Sequence, residues 1–203
     1  MPKVLDELRQ DHRDNARLWD LLGREMKVFK EGGLPDYELV ENILEYCLNY
    51  PELFHHPKED LIYQRLKDRD PASGNIVGDL GREHAKLTVL TRRFSNALKN
   101  VLEDEQLPRD WFLDVVNDFL NFSRNHMQME EVLFFPAASK HLTADDWVKI
   151  EAASKRVGDP LFGELINEKY QRLYDKIDEW GKREEEKAEA SWKAPQRPSL
   201  RPT

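Results

Sequence analysis

Four long stretches of this chain place apolar residues at steps of three and four, the repeat that keeps side chains on one face of an α-helix. Over residues 3–30 the seam reads Leu5, Leu8, His12, Asn15, Trp19, Leu22, Met26 and Phe29. A second, behind Asp36 as helix cap, passes through Ile43, Leu44, Cys47 and Leu48 to His55, Glu59, Ile62 and Leu66. The third, over 76–103, reads Leu80, His84, Leu87, Thr91, Phe94, Leu98 and Val101. The fourth, over 109–138, reads Phe112, Val116, Phe119, Ser123, His126, Glu130, Leu133 and Ala137. Strand-like alternation is absent, and the links are short clusters of Gly, Pro and turn residues: Gly32-Gly33-Leu34-Pro35, Asp70–Asn75 and Leu107-Pro108. The expected fold is all-α, an up-and-down antiparallel four-helix bundle with additional C-terminal helices. Pro51 and Pro57 fall inside the second seam and predict a bend or a restart there.

Beyond Pro136 the pattern changes. Thr143 reads as a cap for a short helix ending near Val157, and Asp159-Pro160 as cap and first residue of another. Phe162, Ile166, Tyr170, Leu173, Ile177 and Trp180 give that last helix one apolar stripe. The stripe must pack on the bundle or on a second chain, so a homodimer through the C-terminal helix is one arrangement open to it. The expected organisation is a bundle over 1–142, a C-terminal helical extension over 143–186 and a disordered tail over 187–203.

Composition narrows the partners. Thirty-nine acidic against 31 basic residues give a formal net charge of -8, which argues against nucleic acid or an anionic membrane surface. No apolar run of about 18 residues is present to span a bilayer. The amino terminus has no apolar signal core, and the single cysteine, Cys47, excludes an internal disulfide and Cys-based zinc sites. A soluble, cytoplasmic protein is the expectation.

What remains is the polar content of the seams. Four of the six histidines lie on them, and His55 and His126 are each followed four residues later by a glutamate, Glu59 and Glu130. That spacing stacks the two side chains on one helical face. Asp11-His12 resembles Glu83-His84, and the intervals nearly match: 43 positions from His12 to His55, 42 from His84 to His126. Two helix pairs of one design would set two groups of two histidines and one carboxylate about a pseudo-twofold axis. A lone seam histidine is ordinarily a hydrogen-bonded core residue. Four imidazoles and two carboxylates buried together need a cation to offset their desolvation. Nitrogen and oxygen donors without thiolate suit iron, manganese or zinc, and two shared glutamates suggest a dinuclear centre. Ferritin-like bundles use the opposite order, Glu-x-x-His.

Taken together, Asp11-His12, Phe54-His55-His56-Pro57-Lys58-Glu59-Asp60, Glu83-His84 and His126-x-x-x-Glu130-Glu131 through Pro136 resemble the hemerythrin family, in its bacterial HHE cation-binding branch, over about residues 1–142. The resemblance implies a non-haem centre of two iron ions with an oxo or hydroxo bridge. By motif position His12, His55, His84 and His126 are its terminal ligands, with Glu59 and Glu130 bridging. Oxygen-carrying members have a second histidine one turn after the third-helix ligand, where this chain has Thr88. His56 is the local histidine able to make up the number, although it is rotated about 100° from His55 on a regular helix. Its alternative is an imidazole outside the ligand set, or one facing solvent. Asp11 and Glu83 read as solvated residues sooner than as partners of the ligands, Cys47 as a small buried hydrophobe, and Tyr63 as a neighbour of the cavity or of the core.

The resulting expectation is a di-iron protein that binds or senses O2, NO or peroxide, in oxidative or nitrosative stress. Iron storage, oxygen carriage and a metal-stapled interaction module are the alternatives. No acid–base pair independent of the ligands is visible, so catalysis stays open.

Overall fold

The computed structural model describes residues 2–103, 107–154 and 157–193, and among them no strand occurs. The helices are α1 (Lys3–Lys30), α2 (Tyr37–Tyr50), α3 (His56–Arg69), α4 (Pro71–Val77), α5 (Leu80–Leu102), α6 (Arg109–Met129), α7 (Phe135–His141), α8 (Ala144–Ala153) and α9 (Gln171–Lys193). A π-helical turn, Pro51–His55, joins α2 to α3, and a second, Glu130–Phe134, joins α6 to α7. Four rods result: α1, α2–α3, α5 and α6–α7. α1 packs on α2 and α6, and α5 packs on the same two, so the rods form a closed square.

Local chemistry explains most boundaries. The Asp36 carboxylate accepts from the Leu39 amide, as a cap should. Thr143 and Asp146 form a reciprocal capping box at the start of α8. Asp146 is fully buried and also accepts from Arg65 and Arg69, which ties α8 to α3. Those guanidiniums, Arg69 first, hold its carboxyl well below the usual carboxylate range.

Several expectations shift. The 70–75 cluster is not a loose turn: Pro71 opens the short helix α4, which ends at Gly78 with φ 88°. The third bundle helix therefore begins at Leu80 behind Asp79, later than expected. The break expected near Pro51 and Pro57 is a π-turn, closed by the His56 amide donating to the Pro51 carbonyl. Another precedes Pro136, closed from Phe135 to Glu130. A proline lacks the amide that would continue the α ladder and crowds the carbonyl four residues back; one extra residue in the preceding turn relieves both. That residue also moves the seam. Leu133 is 41 % exposed, while Phe134, Phe135 and Ala138 are buried in its stead.

α8 ends at Ala153, short of Val157. Asp159-Pro160 caps a tight turn and no helix. One Asp159 oxygen accepts from the Leu161 and Phe162 amides, the other from the Tyr46 hydroxyl. A Cβ on Gly163 would stand 2.4 Å from the Asp159 carbonyl oxygen, so this turn requires glycine. The last helix starts at Gln171 and continues to Lys193, past position 187 where the sequence reading starts the tail; positions 194–203 lie outside the described residues. Its stripe joins the chain's own core, with Tyr170, Leu173 and Ile177 in one apolar cluster with Leu18, Tyr46 and Phe112.

The core has two apolar layers. One holds Leu18 to Phe29 of α1 with α2, Phe94 to Leu98 of α5 and Phe112 to Leu120 of α6. The other holds Val4 to Leu8, Ile62, Leu66, Leu80, Phe134 and Phe135. On every rod the histidine and glutamate positions fall between the two. The bundle is therefore a sandwich with a polar filling.

Candidate metal centre

Each rod delivers its polar residues to one level, and all seven side chains singled out from the sequence meet there. Glu59 is fully buried. Its Oε1 lies 3.2 Å from His55 Nε2 and 3.6 Å from His12 Nε2, and its Oε2 lies 3.4 Å from His84 Nε2. Glu130, 1 % exposed, mirrors it: Oε1 is 3.0 Å from His126 Nε2 and 3.6 Å from His84 Nε2, and Oε2 is 3.4 Å from His12 Nε2. Both glutamates thus span two histidine groups. The His12 and His55 rings are 5.1 Å apart, as are those of His84 and His126.

The other face of each imidazole is held by a carboxylate from a neighbouring rod. His55 Nδ1 is 2.9 Å from Asp11, His84 Nδ1 3.0 Å from Asp60, His126 Nδ1 2.7 Å from Glu83 and His12 Nδ1 2.8 Å from Glu131. With Nδ1–H donating outward, every Nε2 lone pair faces the centre, the arrangement that orients metal-binding imidazoles. The four pairs close a ring: α1 to α2–α3, α3 to α5, α5 to α6, and the turn after α6 back to α1. Asp11 and Glu83 are thus partners of ligand-type histidines, contrary to the solvated role expected of them. Asp60 and Glu131 are also in the ring and were missed. Their signal was present, since each directly follows the glutamate of a His-x-x-x-Glu pair.

His56 does not join its neighbour His55. Its rotation around the helix carries it to the other group, where its ring stacks on His84 at 4.3 Å and meets that of His126 at 6.2 Å. Two sets of donor atoms lie close enough to hold an ion each: His12, His55 and Glu59, and His56, Glu59, His84 and His126. Thr88, in place of a further histidine, donates to Glu52 at 2.5 Å, and Glu52 faces His56 Nδ1 at 3.7 Å. Burial holds His56 below its ordinary value and hence neutral.

The remaining imidazoles go the other way. Burial disfavours their charge, but Glu130, Glu131 and Glu59 raise His12 to about 11; Asp60, Glu130 and Glu59 raise His84 to about 11; and Glu59 with Asp11 raises His55 to about 9. Burial pushes Glu59 up, yet the surrounding imidazoles hold it well below the usual carboxylate range. Even so, Glu59 Oε1 and Oε2, Glu130 Oε1, His84 Nε2 and His126 Nε2 are buried without a hydrogen-bond partner. Native interiors rarely leave such atoms unpaired. A cation among them satisfies all five, and the nitrogen and oxygen donor set fits iron, manganese or zinc.

A cavity of about 50 Å³ adjoins the centre, lined by His12, His55, His56, His126 and Glu130 on one side and by Trp19, Cys47, Leu87 and Phe119 on the other. Asn15 and Ser123 also line it, and neither Asn15 Oδ1 nor Ser123 Oγ has a protein partner. Cys47 is half-buried on its wall. Tyr63 lies elsewhere, its hydroxyl donating to the Gly78 carbonyl.

The model of the hemerythrin HHE cation binding domain matches residues 3–144. The chain belongs to that family. No curated protein and no solved structure matches it. In this HHE domain the matched region closes just past α7, so α9 and the turn before it are built onto the family's bundle. The family is one of cation-binding domains, and the histidine and glutamate groups supply a place for a cation. Among the described residues no helix is long and apolar enough to cross a membrane.

Proposed function

We propose that this protein holds two iron ions, with manganese or zinc as substitutes, and binds O2, NO or peroxide beside them. One observation carries the reading: Glu59 and Glu130 each direct oxygens toward both histidine groups, as two bridging carboxylates must. His12 and His55 would hold one ion, and His56, His84 and His126 the other. When bound, a di-iron pair supplies Lewis-acidic, redox-active positions for a small ligand. The chain's own part is to point five Nε2 or equivalent donors inward, to neutralise charge with two glutamates and to exclude bulk water through Trp19, Leu87 and Phe119. The cavity of about 50 Å³ has room for a small ligand, since about 10–15 Å³ of such space already holds a water. A lone half-buried cysteine fits a reducing compartment such as the cytoplasm.

Anaerobic reconstitution with ferrous iron is expected to give about two irons per chain, with a new visible band on exposure to NO. Protein that takes up no iron under these conditions defeats the reading. Glu59→Ala and Glu130→Ala should each lose both ions, because each side chain serves both groups. A variant retaining the full dinuclear spectrum would show that its glutamate is no bridge. A second reading, metal as a staple between the two apolar layers, is favoured by the placement of the polar level. It predicts metal-dependent melting with no spectral response to any gas or peroxide.

A further inference from the structure

The cavity beside the metal centre shares two lining residues, His12 and Met127, with an open hollow of about 350 Å³ between α1 and α6. Arg9, Arg13 and Arg124 line that hollow against a single carboxylate, Glu131. Three guanidiniums therefore gather at one face of a chain whose formal net charge is -8. Arg9 pairs with Glu131 at 3.2 Å, and Arg124 with Asp20 at 3.0 Å. Arg13 engages the Gln10 side-chain oxygen through Nε and Nη2. A guanidinium carries five N–H donors, so Arg13 and Arg124 keep donors for a guest. Another hollow, of about 420 Å³ and lined by Lys3, Glu7, Asp11 and Lys58 among others, has no lining residue in common with the inner cavity.

We propose that the arginine-lined hollow is the mouth by which a small inorganic anion reaches the metal cavity, with the Met127 side chain as the partition it passes. The proposal rests on the metal-centre reading. A net negative protein repels anions at long range, and a local basic cluster reverses the sign of the field where the route begins. A neutral gas gains nothing from such a lining. Met127 is half-buried and stands between the two spaces; an unbranched thioether can change rotamer at low cost.

Azide is the probe for the iron-loaded protein, with binding followed by stopped-flow visible absorption against ionic strength. The association rate is expected to fall as salt rises, because attraction at the mouth is screened. The double variant Arg13→Glu with Arg124→Glu should lower the low-salt azide rate by about tenfold and leave the rate for neutral NO unchanged. Met127→Trp should slow both. An azide rate that rises with salt, governed by the whole chain's charge, overturns the proposal. So does an azide rate indifferent to the double variant. A metal-free arm separates this outcome from failure of the metal reading: thiocyanate should shift the backbone amide NMR signals of Arg13, Arg124 and Met127 in the parent and not in the double variant. Absence of those shifts in the parent overturns the mouth even if the centre binds iron.

Discussion

Asp11 and Glu83 each precede a ligand-type histidine in the chain, yet each serves the histidine of the next rod. Asp11 is the most enclosed of the four outer carboxylates, its side chain 13 % exposed against 52 % for Asp60. Asp11→Ala removes the acceptor that fixes the His55 tautomer and is expected to weaken metal binding about 10–100-fold in a chelator competition. Asp11→Asn keeps an acceptor oxygen and should recover most of it; equal losses in both variants would mean the carboxylate acts by charge alone. The same contacts set a pH dependence in the metal-free protein. His12 and His84 are raised to about 11 and His55 to about 9 from an ordinary 6.5. A raised imidazole stabilises the fold fully below pH 6.5 and loses that contribution as pH climbs through 9 to 11. Glu59, held low, works oppositely and loses its contribution in acid. Metal binding displaces those protons, so affinity rises with pH while metal-free stability falls. Melting curves in chelator from pH 6 to 10 should descend, and the gap to zinc-loaded protein should widen; parallel curves would sink this account. Six of the seven inner residues were legible from spacing and resemblance; His56 stayed open, because on a regular helix it is turned about 100° from His55. The outer ring was not legible, Asp11 and Glu83 reading as solvated and Asp60 and Glu131 going unread, because Nδ1 partners come from other rods and no local spacing predicts which rods touch.

At the scale of elements, the departures from the expected seams come from the π-turns. The fourth seam predicts Leu133 and Ala137 inside, and the structure buries Phe134 and Ala138. Steps of three and four assume an unbroken α-helix, whereas Pro136 displaces the ladder by one residue just upstream. Deleting exposed Leu133 should therefore return Glu130–Phe134 to ordinary helix while Phe134, Phe135 and Ala138 stay buried. Its melting temperature is expected to fall by roughly 6–12 °C, the returned proline clash of about 3 kcal/mol at about 2–4 °C per kcal/mol, while metal uptake persists. Deleting Asn121, exposed in the middle of α6, is the contrast. It rotates Ser123, His126 and Glu130 off the seam together or forces α6 out of its packing, and metal uptake should vanish. If Leu133 deletion proves as damaging as Asn121 deletion, the turn is not a one-residue insertion. Pro51 and Pro57 were readable as an interruption; that the interruption would be π-helical was not, since a bend and a restart satisfy the same missing amide.

For the molecule as a whole, the α9 stripe was visible in the sequence but its partner was not, because an apolar face shows only that something covers it. The partner is the chain's own bundle. Leu161, Leu173 and Ile177 are fully buried beside Leu18, Tyr46 and Phe112, in the layer on one side of the metal level. The extension thus thickens one apolar layer, and among the described residues none from α9 lines the centre or its cavity. Stability and metal binding should then separate. Leu173→Ala leaves a cavity at a site with no exposure and is expected to cost about 2–5 kcal/mol. For a chain of this length that is a fall in melting temperature of roughly 4–20 °C. Metal content per folded chain should not change, since the polar level is held by the ring from Asp11 to Glu131 and by Phe134 and Phe135 beneath it. Calorimetry and metal analysis on one preparation decide the matter. A variant that melts early and also binds less metal at temperatures where it remains folded would show that α9 shapes the centre through the core.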